Sequence, residues 1–390
     1  MLGNSAVVFV PDDRHRTGED RPLLLRRVLG APLLSWLAAA LARDGVRRFF
    51  LVAPPEALEQ ARACFSADLA VTVCAEQSPA DLLHVFLSTA PEEESQVTVV
   101  TGPALYLPEP ETRPAHPGAA RRAVCRVDRL RLMEALDQGA PVDALLVRAG
   151  EACGEEDGFF AVSSSMELPA WQKILMRNQL FRLAGQGVDI WDLDNCYVGP
   201  WVAVGTGTEL LPGTILQGAT HVGAGCRIGP DTCLLDTIVG DEAVVRASQA
   251  EGAEIGAGCQ VGPFAHLRPG ARLDREVKAG AFVEIKNTQV GCGTLISHLA
   301  YLGDSEVGRD CNIGSFVATA NFDRVEKHRT TLEDRVFVGC NTSLVAPVRV
   351  GEGAYLAAGS AITQDVPAGA LGVARARQVN KKDWASKHKK

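Results

Sequence analysis

The 390-residue chain has no uninterrupted apolar run of the roughly 18 residues that a membrane-spanning helix needs, so no spanning segment is expected. Its first residues, Met1–Asp13, lack the basic start and long apolar stretch of a secretory leader. It also lacks an excess of basic residues. A net charge of −8 gives no reason to expect nucleic acid or an anionic membrane surface as a partner. Its eleven cysteines form no C-x-x-C pair and are odd in number, which reads as reduced thiols in a cytoplasmic chain, not as a disulfide framework or a zinc site. No metal is expected. What remains is a soluble globular composition, 46% hydrophobic, in a chain long enough for two domains.

What is present is a beat of six. Val198, Val204, Leu210, Leu216, Val222, Ile228 and Leu234 stand six apart. The beat resumes at Ile255, Val261, Leu267 and Leu273, and again at Val338, Leu344, Val350, Leu356 and Ile362. Glycine often follows the aliphatic residue, as at Gly199, Gly205, Gly223, Gly256 and Gly339. This is hexapeptide-repeat spelling and predicts a left-handed parallel β-helix, a narrow prism whose short strands each turn one aliphatic side chain inward. Three hexapeptides per coil give coils stacked about 4.8 Å apart. Prisms of this spelling are commonly trimeric acyltransferases that seat an acyl-coenzyme A between neighbours.

Upstream, apolar strands alternate with helical patterns. Strands are expected at Ala6–Val10, Phe49–Val52, Val71–Cys74, Val97–Thr101, Ala144–Val147 and Phe159–Val162, and helices at Leu33–Arg43, Pro55–Phe65, Ala80–Leu87 and Arg121–Leu136. The alternation argues for a doubly wound, mostly parallel sheet. Four prolines mark Leu107–Gly118 as a loop, and serines around Ser165 suit the N-cap of a connecting helix. The expected organisation is an α/β domain at 1–164, a connecting helix at 165–189, the β-helix at 190–370 and a basic tail at 371–390.

One part of the prism is unusually polar: Pro-Phe-Ala-His-Leu-Arg-Pro-Gly (263–270), Phe-Val-Glu-Ile-Lys-Asn (282–287) and Ser-His-Leu-Ala-Tyr-Leu-Gly-Asp (297–304). Arg268 and Lys286 are eighteen apart, one full coil, so the two cations stack on one edge; with Tyr301 they suit a phosphate. A neutral His298 beside them can take a proton from an attacking amine. The beat breaks at Ala318–Thr331, and loops leaving a rigid solenoid tend to carry function.

These strings, with Asn-Ile-Gly (312–314), Leu-Val-Ala-Pro-Val (344–348) and Ala-Arg-Gln-Val-Asn-Lys (376–381), resemble in order and spacing the acetyltransferase half of a bacterial bifunctional family of UDP-N-acetylglucosamine and cell-wall synthesis. That family joins an N-acetylglucosamine-1-phosphate uridyltransferase to a glucosamine-1-phosphate N-acetyltransferase. The resemblance implies acetyl transfer from the co-substrate acetyl-CoA to an amino-sugar phosphate in a cytoplasmic homotrimer. It implies that His298 is the general base, and that Arg268, Glu284, Lys286, Tyr301 and Asn312 hold the sugar phosphate. Lys327 matches a lysine donated across the trimer to the same phosphate. Asn321 and Phe322 match an Asn-Tyr pair near the acetyl group, and either the backbone or Asn321 can steady the oxyanion. Ser315, Cys340, Ala358 and Arg375 match coenzyme contacts, with Ser315 and Cys340 departing from the usual alanine and serine and Phe316 standing where the family has glycine.

The N-terminal domain departs further. Val8-Phe-Val-Pro-Asp-Asp (8–13) stands where such nucleotidyltransferases have a glycine-rich loop. The proline removes an amide donor, and two aspartates repel a triphosphate. Arg21-Pro22 lacks the family's lysine, Gly102-Pro103 lacks its metal-binding aspartate, and Ser163–Ser165 fall where an asparagine ligand belongs. A degenerate nucleotidyltransferase is expected. Two other readings stand beside the first: an acetyltransferase for another amino-sugar phosphate, and a non-catalytic scaffold that binds a sugar nucleotide.

Overall fold

The computed structural model describes residues 3–14, 20–75, 79–108, 123–138 and 150–387. The expected strand at Ala144–Val147 and nearly all of the proline-rich loop lie outside them. The chain divides into two compact units, one of Met1–Val204 with Pro212–Thr220, the other of Gly205–Leu211 with His221–Lys390.

The first unit is built on β1 (Ser5–Phe9), α1 (Leu33–Arg43), β2 (Arg48–Ala53), α2 (Leu58–Arg62), β3 (Ala70–Ala75), α3 (Pro79–Ser88), β4 (Gln96–Val100), β5 (Ala104–Tyr106), β6 (Val124–Asp128), α4 (Arg129–Asp137), β7 (Gly150–Ala152), β8 (Phe159–Ala161) and α5 (Leu168–Gly185). One sheet runs β3-β2-β1-β4-β6-β7. Its first four strands are parallel, as alternation with helices requires, and β6 and β7 join antiparallel. Both faces of the sheet are covered: Leu37, Leu41 and Phe49 lie in one buried cluster, Phe50, Leu83 and Val99 in another.

Two expectations are corrected. The helix expected at Arg121–Leu136 is strand β6 followed by helix α4. Val124, Cys125 and Val127 are buried in the strand, and Asp128 caps α4 by accepting from the Arg131 amide at 3.0 Å. The serines do not cap the connecting helix. A 3-10 turn at Ser165–Glu167 precedes α5, and Glu167 is its N-cap residue, with no side-chain cap bond.

In the second unit, two- to four-residue strands form three parallel walls. The first wall includes Lys278–Ala281, Leu295–His298, Asn312–Ile313, Phe337–Val338, Tyr355–Leu356 and Leu371–Gly372; the second includes His266–Leu267, Glu284–Lys286, Tyr301–Gly303 and Ala318–Ala320; the third includes Arg272–Leu273, Gln289–Val290, Ser305–Val307 and Thr330–Leu332. This is the left-handed parallel β-helix that the beat of six spells. Leu267, Ile285, Ile296, Leu302 and Val338 point inward and are fully buried, each worth about 1.5–3 kcal/mol. Buried Thr288 and Thr294 hydroxyls accept the Ser305 and Cys311 amides of the next coil, both at 3.1 Å, satisfying groups the corners would leave unpaired.

The corners need left-handed backbone. Between the second and third walls it is taken by Gly252, Gly270, Asn287 and Asp304, the last two at φ of 46° and 50°. Asparagine and aspartate are the non-glycine residues that reach this region most readily. Between the first and second walls it is taken by Phe264, Phe282, Leu299, Phe316 and Asn341, at φ from 47° to 61°. Bulky side chains in this conformation cost roughly 1–2 kcal/mol each. Phe264 and Phe316 are nevertheless about 60% exposed, and Phe264 stacks on Phe282 at 5.2 Å.

Candidate active site

Arg268, Lys286 and Tyr301 come from successive coils of the second wall. Leu267 pairs with Ile285, and Glu284 with Tyr301. The two coils differ in length: eighteen residues separate the first pair and seventeen the second. Tyr301 therefore stands over Glu284, and Gly303 over Lys286. Arg268 donates from Nη1 to Glu284 Oε1 at 2.8 Å. Gly303 is glycine for a reason of space: a Cβ there would strike the Tyr301 hydroxyl and come within 2.8 Å of the Asn321 amide nitrogen.

The break in the beat is narrower than the expected Ala318–Thr331. Ala318–Ala320 remains wall, with Thr319 turned inward, and the chain returns to the third wall at Thr330–Leu332. Between them, Phe322 and Lys327 pair across an antiparallel bridge. Asp323 accepts the amides of Val325 and Glu326, both at 2.8 Å, and lies 2.7 Å from His328 Nε2. The loop brings Lys327 against Lys286 of its own chain. Lys327, and then Arg268, hold Lys286 below the ordinary lysine range, while Asp304 opposes them.

Asp304, almost fully buried, was not anticipated. Its Oδ1 accepts the Asn287 amide at 2.6 Å and its Oδ2 accepts the Asn321 amide. Burial works to raise its carboxyl; the two amides, then Lys327 and Lys286, outweigh burial and hold it below the ordinary range. Asn287, Asp304 and Asn321 are spaced by seventeen, a signal that was present in the sequence.

The other expected residues stand apart from this cluster. His298 ends a first-wall strand, exposed, paired with Ala281 and followed by the corner residue Leu299. Asn312 is on the first wall between Leu295 and Phe337, not with Arg268 and Lys286 on the second. Ser315, Cys340 and Ala358 each precede a left-handed corner residue. The Asn341 amide donates to the Ser315 carbonyl at 2.7 Å, and the Gly359 amide to the Cys340 carbonyl at 2.8 Å, so the three rise coil by coil along one corner. Arg375 lies over the top of this column, its Cδ 3.7 Å from where a Cβ of Gly359 would be. Phe322 is exposed on the loop.

In the first unit, a cavity of about 410 Å³ opens beyond the carboxyl ends of β1 and β4, where doubly wound sheets bind ligands. Pro11, Asp12, Asp13, Thr101, Gly102, Pro103 and Ser163 are among its lining residues. Asp12 pairs with Arg14 at 2.7 Å, and Asp13 accepts the Leu23 amide at 3.0 Å. No helix among the described residues is long and apolar enough to cross a membrane.

Fold and site together define a hexapeptide-repeat prism carrying a polar cluster on one wall. A family described as the hexapeptide repeat of succinyl-transferase matches residues 329–364. The chain is 43% identical over 226 residues to the bifunctional protein GlmU of Geobacillus sp. (strain WCH70), covering 58% of this chain and 49% of that one. It is 48% identical over 205 residues to GlmU of Bacillus velezensis, covering 52% and 45%. The chain thus spans about half the length of the curated relatives it matches. Among solved structures it is similar, at 17% identity and a TM-score of 0.24, to the polySia-specific acetyltransferase NeuO, over 52% of this chain and 94% of that one.

Proposed function

We propose that the chain transfers acetyl from acetyl-CoA to the amine of glucosamine 1-phosphate, giving N-acetylglucosamine 1-phosphate for UDP-N-acetylglucosamine synthesis in the cytoplasm. The observation that carries this reading is the convergence of Arg268, Lys286 and Lys327 around one wall, a cation patch suited to a phosphate monoester. The GlmU relatives, 43% and 48% identical over roughly half their length, support the same reading.

In this mechanism Arg268 leaves Glu284 for the phosphate, and Lys286 and Lys327 bind its other oxygens. The sugar amine attacks the thioester carbon, neutral His298 takes the proton released from nitrogen, and coenzyme A leaves as the thiol. The Asn321 amide steadies the tetrahedral oxyanion. The coenzyme follows the corner of Ser315, Cys340 and Ala358 to Arg375, and Asn312 and Phe322 complete the site from the first wall and the loop.

The assembly in this reading is a homotrimer. Phe264, Phe282 and Phe316, strained and exposed at one corner, are apolar surface that neighbouring copies would cover. Residues 1–164 form a nucleotidyltransferase-like domain, joined by 165–189 to a β-helix at 190–370 with a tail at 371–390. Uridyl transfer is lost, because Asp12 and Asp13 face the cavity where phosphates would sit and Gly102-Pro103 offers no carboxylate to Mg²⁺.

The test is to incubate the purified protein with acetyl-CoA and glucosamine 1-phosphate and follow free thiol. Release that depends on the sugar is expected. The absence of release with any amino-sugar phosphate would overturn the reading.

A further inference from the structure

We infer that Asp304 is the positioning residue of the cation patch, holding the Asn321 amide and setting a carboxylate beside Lys286 and Lys327 so that the wall is preset for a phosphate monoester dianion. The inference rests on the phosphate-site part of the proposed function and adds a residue that touches neither sugar nor coenzyme.

The geometry is one carboxylate with one task per oxygen. Oδ1 accepts from Asn287 of the coil below at 2.6 Å, and Oδ2 accepts from Asn321 of the coil above. Asp304 sits at a left-handed corner, its amide bonded to the Lys286 carbonyl at 3.1 Å and its carbonyl to the Thr330 amide at 3.3 Å. Both chain segments that flank the loop are thereby tied to it: Asn321 where the loop leaves the second wall, Thr330 where it enters the third. Lys327 lies between those ties, so fixing both ends limits where its ammonium can go.

Electrostatics gives the carboxylate its second task. Lys286, Lys327 and Arg268 share one patch, and Glu284 is engaged with Arg268. Two ammonium groups in contact favour loss of a proton from one of them, and a neutral lysine holds phosphate poorly. Asp304 is a carboxylate that favours the charged form of Lys286. An asparagine in its place would remove the charge and set its own N–H against one of the two amides.

The experiment compares the full-length parent with Asp304→Asn and Asp304→Glu. Lys286 is followed by lysine side-chain NMR in the free protein, its signal assigned with Lys286→Arg. Binding of inorganic phosphate and of glucosamine 1-phosphate is followed by calorimetry without coenzyme. Asp304→Asn should move the Lys286 titration down by about one pH unit and weaken binding of both ligands at least roughly tenfold, and Asp304→Glu should restore part of each. Asn287→Ala, which leaves the charge in place, should weaken binding less and leave Lys286 nearly unmoved. This variant keeps the test open if Asp304→Asn does not fold. An unchanged Lys286 titration in folded Asp304→Asn, or Asn287→Ala shifting Lys286 as far as Asp304→Asn does, overturns the inference. If Lys286 shifts and phosphate binding falls as expected while the parent releases no thiol from acetyl-CoA, the inference stands and the acetyl-transfer reading falls.

Discussion

Asp323 and His328 close the loop that carries Lys327: the carboxylate lies 2.7 Å from the imidazole Nε2 and also accepts two backbone amides of the turn between them. The pair shifts each partner, His328 upward because it hydrogen-bonds Asp323, and Asp323 downward because of His328 and then the two amides. An upward shift means that the histidine contribution is fully present below about pH 6.5, the ordinary histidine value, and is lost as pH rises through the raised value. The aspartate contribution is present above about pH 4 and is lost as pH falls through its depressed value. The latch should therefore hold between these limits and loosen on the alkaline side. Measured across that range, KM for glucosamine 1-phosphate should rise as His328 deprotonates, and Asp323→Asn should show a raised KM already at neutral pH. A KM that follows the same pH course in both proteins would remove the latch from substrate binding.

His298→Ala should lower kcat by about 10²–10⁴, the usual loss when a general base is removed, with little change in coenzyme affinity. Steady-state kinetics together with calorimetry on a non-reactive coenzyme analogue would check both. Near parental turnover would show that His298 is not the base.

Arg268→Ala and Lys286→Ala should mainly raise the KM for the sugar phosphate, since each removes a charge-assisted contact to the phosphate. Arg268→Ala also strands Glu284 near the incoming dianion, so it should be the more damaging of the two, and Arg268→Ala with Glu284→Gln should recover part of the loss. A fall in kcat at unchanged KM in both single variants would place these cations away from the phosphate.

Phe264→Ser with Phe282→Ser should weaken assembly without unfolding the prism, because both rings lie outside the aliphatic core. Sedimentation should give a trimer for the parent and a lighter species for the double variant. A parent that sediments near the 41.5 kDa of one chain would contradict the proposed assembly.

With UTP, Mg²⁺ and N-acetylglucosamine 1-phosphate, no pyrophosphate above background is expected. Proline and two aspartates stand where phosphate-cradling amides would be needed. Measurable release would show that the first unit keeps the activity.

The prism was legible because a solenoid repeats its physics: one inward aliphatic residue about every six, from Leu210 to Leu302 and again from Val338 to Ile362. The stacking of Arg268 on Lys286 followed from the coil length. The pairing of Tyr301 did not, since one coil is a residue shorter and moves the tyrosine over Glu284. Asp304 and Asn287 read in the sequence as ordinary corner residues, suited to left-handed backbone, and their second use as hydrogen-bond partners appears only when coils are stacked. Val124–Asp128 reads as helix in the sequence because a short strand running straight into a helix satisfies either period. The serines before Leu168 had the right chemistry for a cap, but a 3-10 turn moved the helix start past them.

The corner that passes Leu299, Phe316, Asn341 and Gly359 works as a ruler. Each coil advances the chain by one strand spacing, about 4.8 Å, so an extended molecule lying along that edge meets a new residue at each graduation and nothing between. Length is then measured in whole coils. Inserting or deleting one coil would shift every mark above it by the same step while leaving each wall intact, so a prism of this kind can be fitted to longer or shorter ligands without redesigning its core.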